Sequence, residues 1–320
     1  MPIQPWLSVL IPTYNGEDYL PAALNSIIDQ KDTDIECIAV DDGSTDATLS
    51  ILNSYQDRLS VKILQQETQG NWVANTNYGL SLARGDYVCF LHQDDLWFKN
   101  RLSTMKRLIF DLPKVVFFLH PSRFLDAEGN DLGIWQCPLP SFPEIIKPDL
   151  MIEKLLVQNF IAIPAPIFKR EIALKVGGLD RTFWYTADWD FWLKIAACGD
   201  TLYYPKPFSG FRIHPGSQTI VRSSRSQDFR NQLESIARKY FALWQAPRQL
   251  KHKVLKVAEF SIEVNIFLAN TVHGKKNNLA ALLNSFVLLG PSGWYRYLRD
   301  SRIWERVSAR LKARLMSSKT

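Results

Sequence analysis

The chain has 320 residues, 46% hydrophobic and 12% aromatic, enough to bury a large core and too apolar for a disordered tail or linker. Its net charge of +6 is carried by one segment, since residues 294–320 hold eight basic and two acidic side chains and residues 1–293 are neutral; a general nucleic-acid binder is therefore disfavoured. Cys37, Cys89, Cys137 and Cys198 are too far apart for a disulfide framework or a paired zinc site and read as buried thiols, and the absence of a charged-then-apolar leader predicts a cytoplasmic protein.

In chain order, residues 7–11 form an apolar run closed by Pro12, after which Leu20, Ala23, Leu24, Ile27 and Ile28 recur at helical steps. Residues 36–40 read as a second strand. Ser44, Thr45 and Asp46 then offer capping side chains to a helix with Leu49, Leu52 and Tyr55 on one face. Residues 61–64 read as a third strand, 72–83 as a third helix and 87–91 as a fourth strand. Strands alternating with helices imply right-handed crossovers and a mainly parallel sheet.

Beyond Arg101 the alternation loosens. Residues 115–119 are another apolar strand, residues 126–130 carry turn chemistry that closes a hairpin, and the proline-rich stretch 138–148 reads as a surface loop. Residues 162–168, interrupted by Pro164 and Pro166, suit an edge strand or extended loop, because proline cannot donate to a ladder. A helix begins near Asp188. From residue 226 the chain turns helical: 229–243, ended by Pro247, then 254–268, then 279–289, which is too short for a spanning helix of about 20 residues and reads as a core helix. After Trp294, Ile303, Val307, Leu311 and Leu315 form a stripe flanked by Arg302, Arg306 and Arg310. That pattern suits equally a helix on an anionic membrane surface and one packed on its predecessors.

Two acidic clusters, residues 41–46 and 93–95, directly follow predicted strands. In open α/β sheets the ligand crevice lies beyond the carboxyl ends of the strands, and carboxylates there suit a divalent cation holding a phosphate-bearing substrate. Turn and cap chemistry explains one such cluster as well; two in register favour a site. No Gly-x-Gly-x-x-Gly, Gly-x-x-x-x-Gly-Lys or Gly-x-Ser-x-Gly is present, so dinucleotide, P-loop and nucleophile-elbow chemistries lose their signatures.

Pro12-Thr13-Tyr14-Asn15, Asp41-Asp42-Gly43-Ser44-Thr45-Asp46, Asn77-Tyr78-Gly79-Leu80 with Ala83-Arg84-Gly85-Asp86-Tyr87, Gln93-Asp94-Asp95, Val176-Gly177-Gly178-Leu179-Asp180 and Ala187-Asp188-Trp189-Asp190 follow in order across residues 6–220. Together they resemble the inverting family 2 glycosyltransferases of the GT-A fold. The resemblance implies an α/β, Rossmann-like, mainly parallel sheet flanked by helices over residues 1–222, with a helical region over 223–320. It implies that Pro12, Thr13, Asn15, Asp41, Asp42, Asn77, Gln93 and Asp94 bind a nucleotide-diphosphate sugar, with Thr13 and Asp42 on the nucleobase. Asp94, Asp95 and His214, the last from Arg212-Ile213-His214, would hold Mg²⁺ or Mn²⁺, and Asp188 would be the general base.

Trp184, Tyr185 and Trp189 are candidates for stacking on an acceptor sugar, although such aromatics more often belong to a core. Two positions depart from the family pattern: His92 stands where its metal motif begins with Asp, and Ala187 where an acid precedes the base. Asn71 and Asn75 flank one inserted residue and receive no role. The expected activity is transfer, with inversion, to a saccharide or lipid-linked acceptor in cell-surface polysaccharide or glycolipid assembly, with peripheral membrane contact through the basic tail. A catalytically impaired sugar-nucleotide-binding scaffold is the alternative that His92 keeps open. A nucleotidyltransferase is disfavoured, because residues 12–16 supply no glycine- and basic-rich loop.

Overall fold

The computed structural model describes residues 4–68, 70–214, 216–217 and 223–317, with side chains through residue 313. Four parallel strands lead the chain: β1 (Leu7–Thr13), β2 (Ile35–Asp41), β3 (Val61–Gln65) and β4 (Tyr87–Phe90), connected by α1 (Leu20–Ile28), α2 (Thr48–Ser54) and α3 (Trp72–Leu82). Alternate residues of β1 and β2 enter different apolar clusters, Leu10, Ile38 and Val40 one, and Val9, Ile11 and Cys37 the other. Both faces are covered, which is why these strands are continuous apolar runs. β1 continues through Pro12, past its predicted stop. Leu91 donates to the Leu10 carbonyl at 3.0 Å, so Pro12, two residues on, faces the same side beyond the last β1–β4 pair, where no ladder bond needs its missing N–H.

The main sheet has eight strands in the order β3-β2-β1-β4-β10-β6-β11-β9. Its second half comprises β6 (Phe117–Leu119), β9 (Glu144–Ile146), β10 (Ile167–Lys169) and β11 (Thr201–Tyr203), following α4 (Arg101–Asp111). Two readings of the proline-bearing segments are corrected here. β10 lies inside the sheet, antiparallel to β4 and β6, because Pro164 and Pro166 precede its paired residues. The stretch 138–148 is more than a loop: it supplies β9 at the sheet edge and opens α5 (Pro148–Val157), a position where proline's fixed φ favours a helix.

A second sheet of four strands, β5 (Leu96–Trp97), β12 (Ser209–Arg212), β7 (Ser122–Leu125) and β8 (Asp131–Trp135), stands in the order β5-β12-β7-β8. The β7–β8 hairpin closes as expected, with the Asp126 carboxylate accepting from Asn130 N at 2.7 Å. Leu96 and Trp97, directly after Asp95, pair with β12.

The remaining helices are α6 (Arg170–Lys175), α7 (Ala187–Ala196), α8 (Ser226–Leu243), α9 (Arg248–Val272), α10 (Leu279–Ser301) and α11 (Ile303–Ser317). One apolar cluster runs from Leu10, Phe90 and Trp192 to Ile236, Val254 and Tyr297, so the core is continuous across residue 222. Buried Asp190 fastens α8 to α7 by accepting from Lys239 Nζ at 2.7 Å and Tyr240 Oη at 2.9 Å.

Several expectations are corrected in this half. α10 packs only one face on the core, through Leu282, Phe286 and Leu289, for Leu283, Val287 and Leu288 are 55%, 65% and 70% exposed, and it breaks at Gly290 (φ 65°) before Pro291. Cys198 is exposed, whereas the other three thiols are buried. The tail is not a free basic helix: Ala309 of α11 is buried with Phe124, Leu132, Trp135 and Ala162 against the second sheet, Glu305 accepts from Gln136 N at 2.8 Å, and Lys312 Nζ reaches the Leu132 carbonyl at 3.1 Å. Leu315, Arg314 and Lys319 lie outside the described side chains. No helix among the described residues is long and apolar enough to cross a membrane.

Candidate active site

A cavity of about 550 Å³ opens beyond the carboxyl ends of β1 and β4, bounded on its other sides by the second sheet, α7, α8 and α11. The strand-end wall is built from Pro12, Thr13, Asn15, Asp42, Gln93, Asp94, Asp95 and His214, all of them expected there. Asp41 and Asn77 are not on it and are corrected to bracing roles. Asp41 accepts from Thr13 Oγ1 at 3.0 Å and Ser44 N at 2.8 Å, holding the ends of β1 and β2 together. Asn77 donates to the Leu179 carbonyl at 2.8 Å and accepts from its N–H at 2.9 Å, joining α3 to the Gly177–Leu179 turn.

The wall is prearranged by bonds among its own members. Asn15 sits at positive φ (45°), and its Oδ1 accepts from Thr45 N at 2.9 Å. Gln93 Oε1 accepts from Tyr14 N at 2.8 Å while its Nε2 donates to the Tyr14 carbonyl at 2.9 Å. An added Cβ at Gly16 would stand 2.4 Å from Gln93 Oε1 and push that side chain out of this arrangement.

Arg212 of β12 organises the two adjacent carboxylates. Its Nε donates to the Asp94 carbonyl at 2.9 Å and its N–H to Asp95 Oδ1 at 3.0 Å. Asp95 thus clamps the second sheet and caps no helix. His214 Nε2 lies 3.0 Å from Asp94 Oδ2. Burial acts to raise Asp94, but the bond to His214 and the nearby His92 outweigh it and hold the carboxyl below its usual range; burial and the Asp94 charge push Asp95 well above. His92 packs edge-on against Trp72 at 5.1 Å, burial lowers its pKa, and its Nε2 has no partner among the described residues.

No group of three His, Cys, Asp or Glu side chains suited to a metal occurs among the described residues. The pair that does come together, a carboxylate oxygen of Asp94 and an imidazole nitrogen of His214, fits Mn²⁺ or Mg²⁺ where substrate phosphates and water complete the shell. Asp95, engaged by Arg212, is not in that set.

The helix-side wall carries Asp188. It is the second residue of α7, after the N-cap Thr186, so it is not itself the cap. Asn159 Nδ2 donates to its Oδ2 at 2.9 Å and Trp189 N to its Oδ1 at 2.8 Å, yet burial prevails and pushes the carboxyl up to about 6. Trp184 and Tyr185 line the cavity beside it, the first held by Trp72 Nε1 donating to its carbonyl at 2.9 Å, the second packed on Phe229 at 4.2 Å. Trp189 also lines the cavity, but its indole N–H donates to the Leu155 carbonyl at 2.9 Å, so it offers apolar surface only.

Sequence reasoning missed several contributors to these walls, among them Asn75, whose buried Nδ2 has no partner among the described residues, Asn159, Arg306 and Arg310. Asn159 carries no local signal. The spacing of Arg306 and Arg310 marked one helix face, but not that it turns inward. Asn71, also without an assigned role, caps α3 by accepting from Val73 N at 3.1 Å.

The family described as Glycosyl transferase family 2 matches residues 8–173. A Nostoc protein described as an uncharacterized glycosyltransferase is 33% identical over 228 residues, 69% of this chain and 69% of its own. A Bacillus subtilis protein, named provisionally as the teichuronic acid biosynthesis glycosyltransferase TuaG, is 40% identical over 130 residues, 40% of this chain and 50% of its own. Among solved structures, S. aureus TarS 1–349 in complex with UDP-GlcNAc superposes with a TM-score of 0.66 at 21% identity, covering 96% of this chain and 89% of that one. The mannosyltransferase PcManGT from Pyrobaculum calidifontis, in complex with GDP-Man and Mn²⁺, gives 0.55 at 18% identity over 97% and 87%. These two likenesses establish the shared fold.

Proposed function

Because the chain belongs to glycosyl transferase family 2, we propose that it moves a sugar, with inversion, from a nucleotide-diphosphate sugar to a hydroxyl of a saccharide or lipid-linked acceptor in cell-surface polysaccharide or glycolipid assembly. The observation that carries this reading is the contrast between two carboxyls in one cavity: Asp94 held below its usual range beside His214, and Asp188 raised to about 6 beside Asn159. A sugar hydroxyl is a poor nucleophile near neutral pH. Asp188 accepts its proton as the oxygen attacks the anomeric carbon, and a carboxylate whose pKa lies near the working pH suits that task. A single displacement from the opposite face inverts that carbon.

Asp94 and His214 hold a Mg²⁺ or Mn²⁺ ion in this reading, with Thr13 and Asp42 placed for the base and Asn15 and Gln93 for the rest of the nucleotide. Such an ion neutralises charge on the departing diphosphate. The complexes of TarS with UDP-GlcNAc and of PcManGT with GDP-Man and Mn²⁺ support the donor class, and TuaG supports the polysaccharide setting. Residues 1–222 supply donor site and base, and residues 223–320 close the acceptor side. We place the protein at the cytoplasmic face of a membrane, held by the exposed apolar residues of α10 rather than by tail charges, since Arg296, Arg299 and Arg302 are paired with Glu153, Asp300 and Glu305.

A panel of UDP-, GDP-, CDP- and dTDP-sugars, each with and without Mg²⁺ or Mn²⁺, tests the reading by thermal unfolding. A ligand at a hundred times its Kd stabilises the native state by about 2.7 kcal/mol. At least one sugar nucleotide should raise the Tm in a metal-dependent way and then support transfer to acceptor. Flat unfolding across the whole panel would overturn it.

A further inference from the structure

The cavity contains a positive feature that donor and base do not use. Arg306 and Arg310, one helical turn apart on α11, both line it. The guanidinium of Arg306 stands 5.5 Å over the ring of Trp135, and its Nη1 is buried without a hydrogen-bond partner among the described residues. Arg296, Arg299 and Arg302 behave differently, for each meets a carboxylate. A guanidinium that buries one of its N–H groups without an acceptor is costly, and a second guanidinium beside it adds repulsion; an anion bound between them relieves both. The burden is visible in Arg306 itself, lowered to about 10 by burial first and by Arg310 second.

The position of the pair says which substrate it meets. Asp188 is the carboxylate whose charge acts on Arg306, and the aromatic wall at Tyr185 feels both arginines. Asp94 and His214, which suit the donor diphosphate, are carried by the strand-end wall instead. We propose that Arg306 and Arg310 form an anion subsite for the acceptor, gripping a phosphate or carboxylate group next to the hydroxyl that Asp188 deprotonates. The proposal rests on the glycosyltransferase reading and narrows its acceptor to an anionic one. Guanidinium groups suit either anion, since their fork of N–H donors matches two oxygens at once.

The test uses the full chain with UDP and Mg²⁺ present, so that the diphosphate position is filled, and measures calorimetric affinity for inorganic phosphate, methyl glucuronide and neutral methyl glucoside. Wild type should bind one or both anions and prefer them to the glucoside; the tighter anion names the acceptor's group. Arg306→Gln/Arg310→Gln should weaken anion binding by about 10- to 100-fold, the loss expected for charge-assisted hydrogen bonds, and leave UDP affinity unchanged. Arg306→Lys, which keeps charge and packing, should recover part of the loss and guards against a folding artefact in the double variant. Three outcomes overturn the proposal: no anion preference in wild type, UDP affinity falling in step with phosphate, or a lower Tm with anion affinity untouched. Should no nucleotide bind the wild type while the arginines still capture phosphate, the transferase reading fails and the anion subsite stands.

Discussion

The strand-end wall and the helix-side wall of the cavity treat their polar groups in opposite ways. On the first, Gln93 is held by Tyr14, Asp95 by Arg212 and Asp94 by His214, with His92 Nε2 the exception. On the second, Arg306 Nη1 and Thr186 Oγ1 have no partner among the described residues, and Asp188 stays raised despite its two hydrogen bonds. A prearranged wall can receive a group of fixed shape, such as a nucleotide diphosphate, without reorganising. A wall with unmet donors and a reluctant carboxylate is completed by its ligand, and there the chemistry takes place.

The sharpest way to break that contrast is Asp188→Asn, which keeps size and removes basicity. Transfer should fall by about 10² to 10⁴ with donor affinity unchanged. In wild type the rate should climb as pH passes about 6 and level off above it, because only the ionised carboxyl accepts a proton. Stability moves the other way. A carboxyl raised on folding favours the native state below its unfolded pKa and loses that contribution as pH rises through 6, so the variant should have the higher Tm at pH 8 and no advantage at pH 3. Transfer within a few-fold of wild type would remove Asp188 from the chemistry. Asp190, two residues on, is no substitute, since it is buried between Lys194 and Lys239.

On the other wall, Asp94→Asn should weaken nucleotide-diphosphate binding by about 10- to 100-fold when Mg²⁺ or Mn²⁺ is present and hardly at all without it. Asp42→Ala should weaken binding in both conditions. Calorimetry separates the two, and equal affinities for wild type and Asp94→Asn across a metal titration would show that the strand-end wall holds its ligand without an ion.

The smallest effect on transfer is expected outside the cavity. Replacing Leu283, Val287 and Leu288 by Ser should leave transfer to a soluble acceptor within a few-fold, while cosedimentation with anionic vesicles drops. Sedimentation unchanged by these replacements would take α10 out of membrane contact and restrict the functional comparison to the two inner walls.

The two walls also differ in how far they could be read in advance. The strand-end wall follows from residues close in sequence to β1, β2 and β4, each an apolar run with its polar cluster immediately behind, so position along the chain nearly fixes position in space. Where the reading failed there, as at Asp41 and Asn77, the residue was correctly near the site but its side chain was taken by Ser44 or Leu179. The helix-side wall joins Trp72, Asn159, Asp188 and Arg306, and no period or spacing links them. Apolar stripes were equally mute about direction. On α10 Leu282, Phe286 and Leu289 pack on the core while Val287 and Leu288 stay in water, and on α11 Leu311 of the predicted stripe is exposed while Ala309, off it, is buried against Trp135 and Ala162. The short strands β5 and β9, of two and three residues, are paired by distant partners, β12 and β11, rather than by their own propensity.

The clamp at Arg212 has a bearing on how the protein is made. Asp94 and its partners Arg212 and His214 are separated by 118 and 120 residues, and α11 follows later still. At ribosomal rates of about 5–20 residues per second, the acidic loop emerges on the order of ten seconds before the residues that fix it. β1 to β4 can pair in that interval, but their carboxylates face no cation until the second sheet closes over them. A nascent chain therefore acquires its sheet first and its capacity to grip a charged ligand only when the later residues of β12 and α11 arrive, rather than with the folding of any strand from β1 to β4.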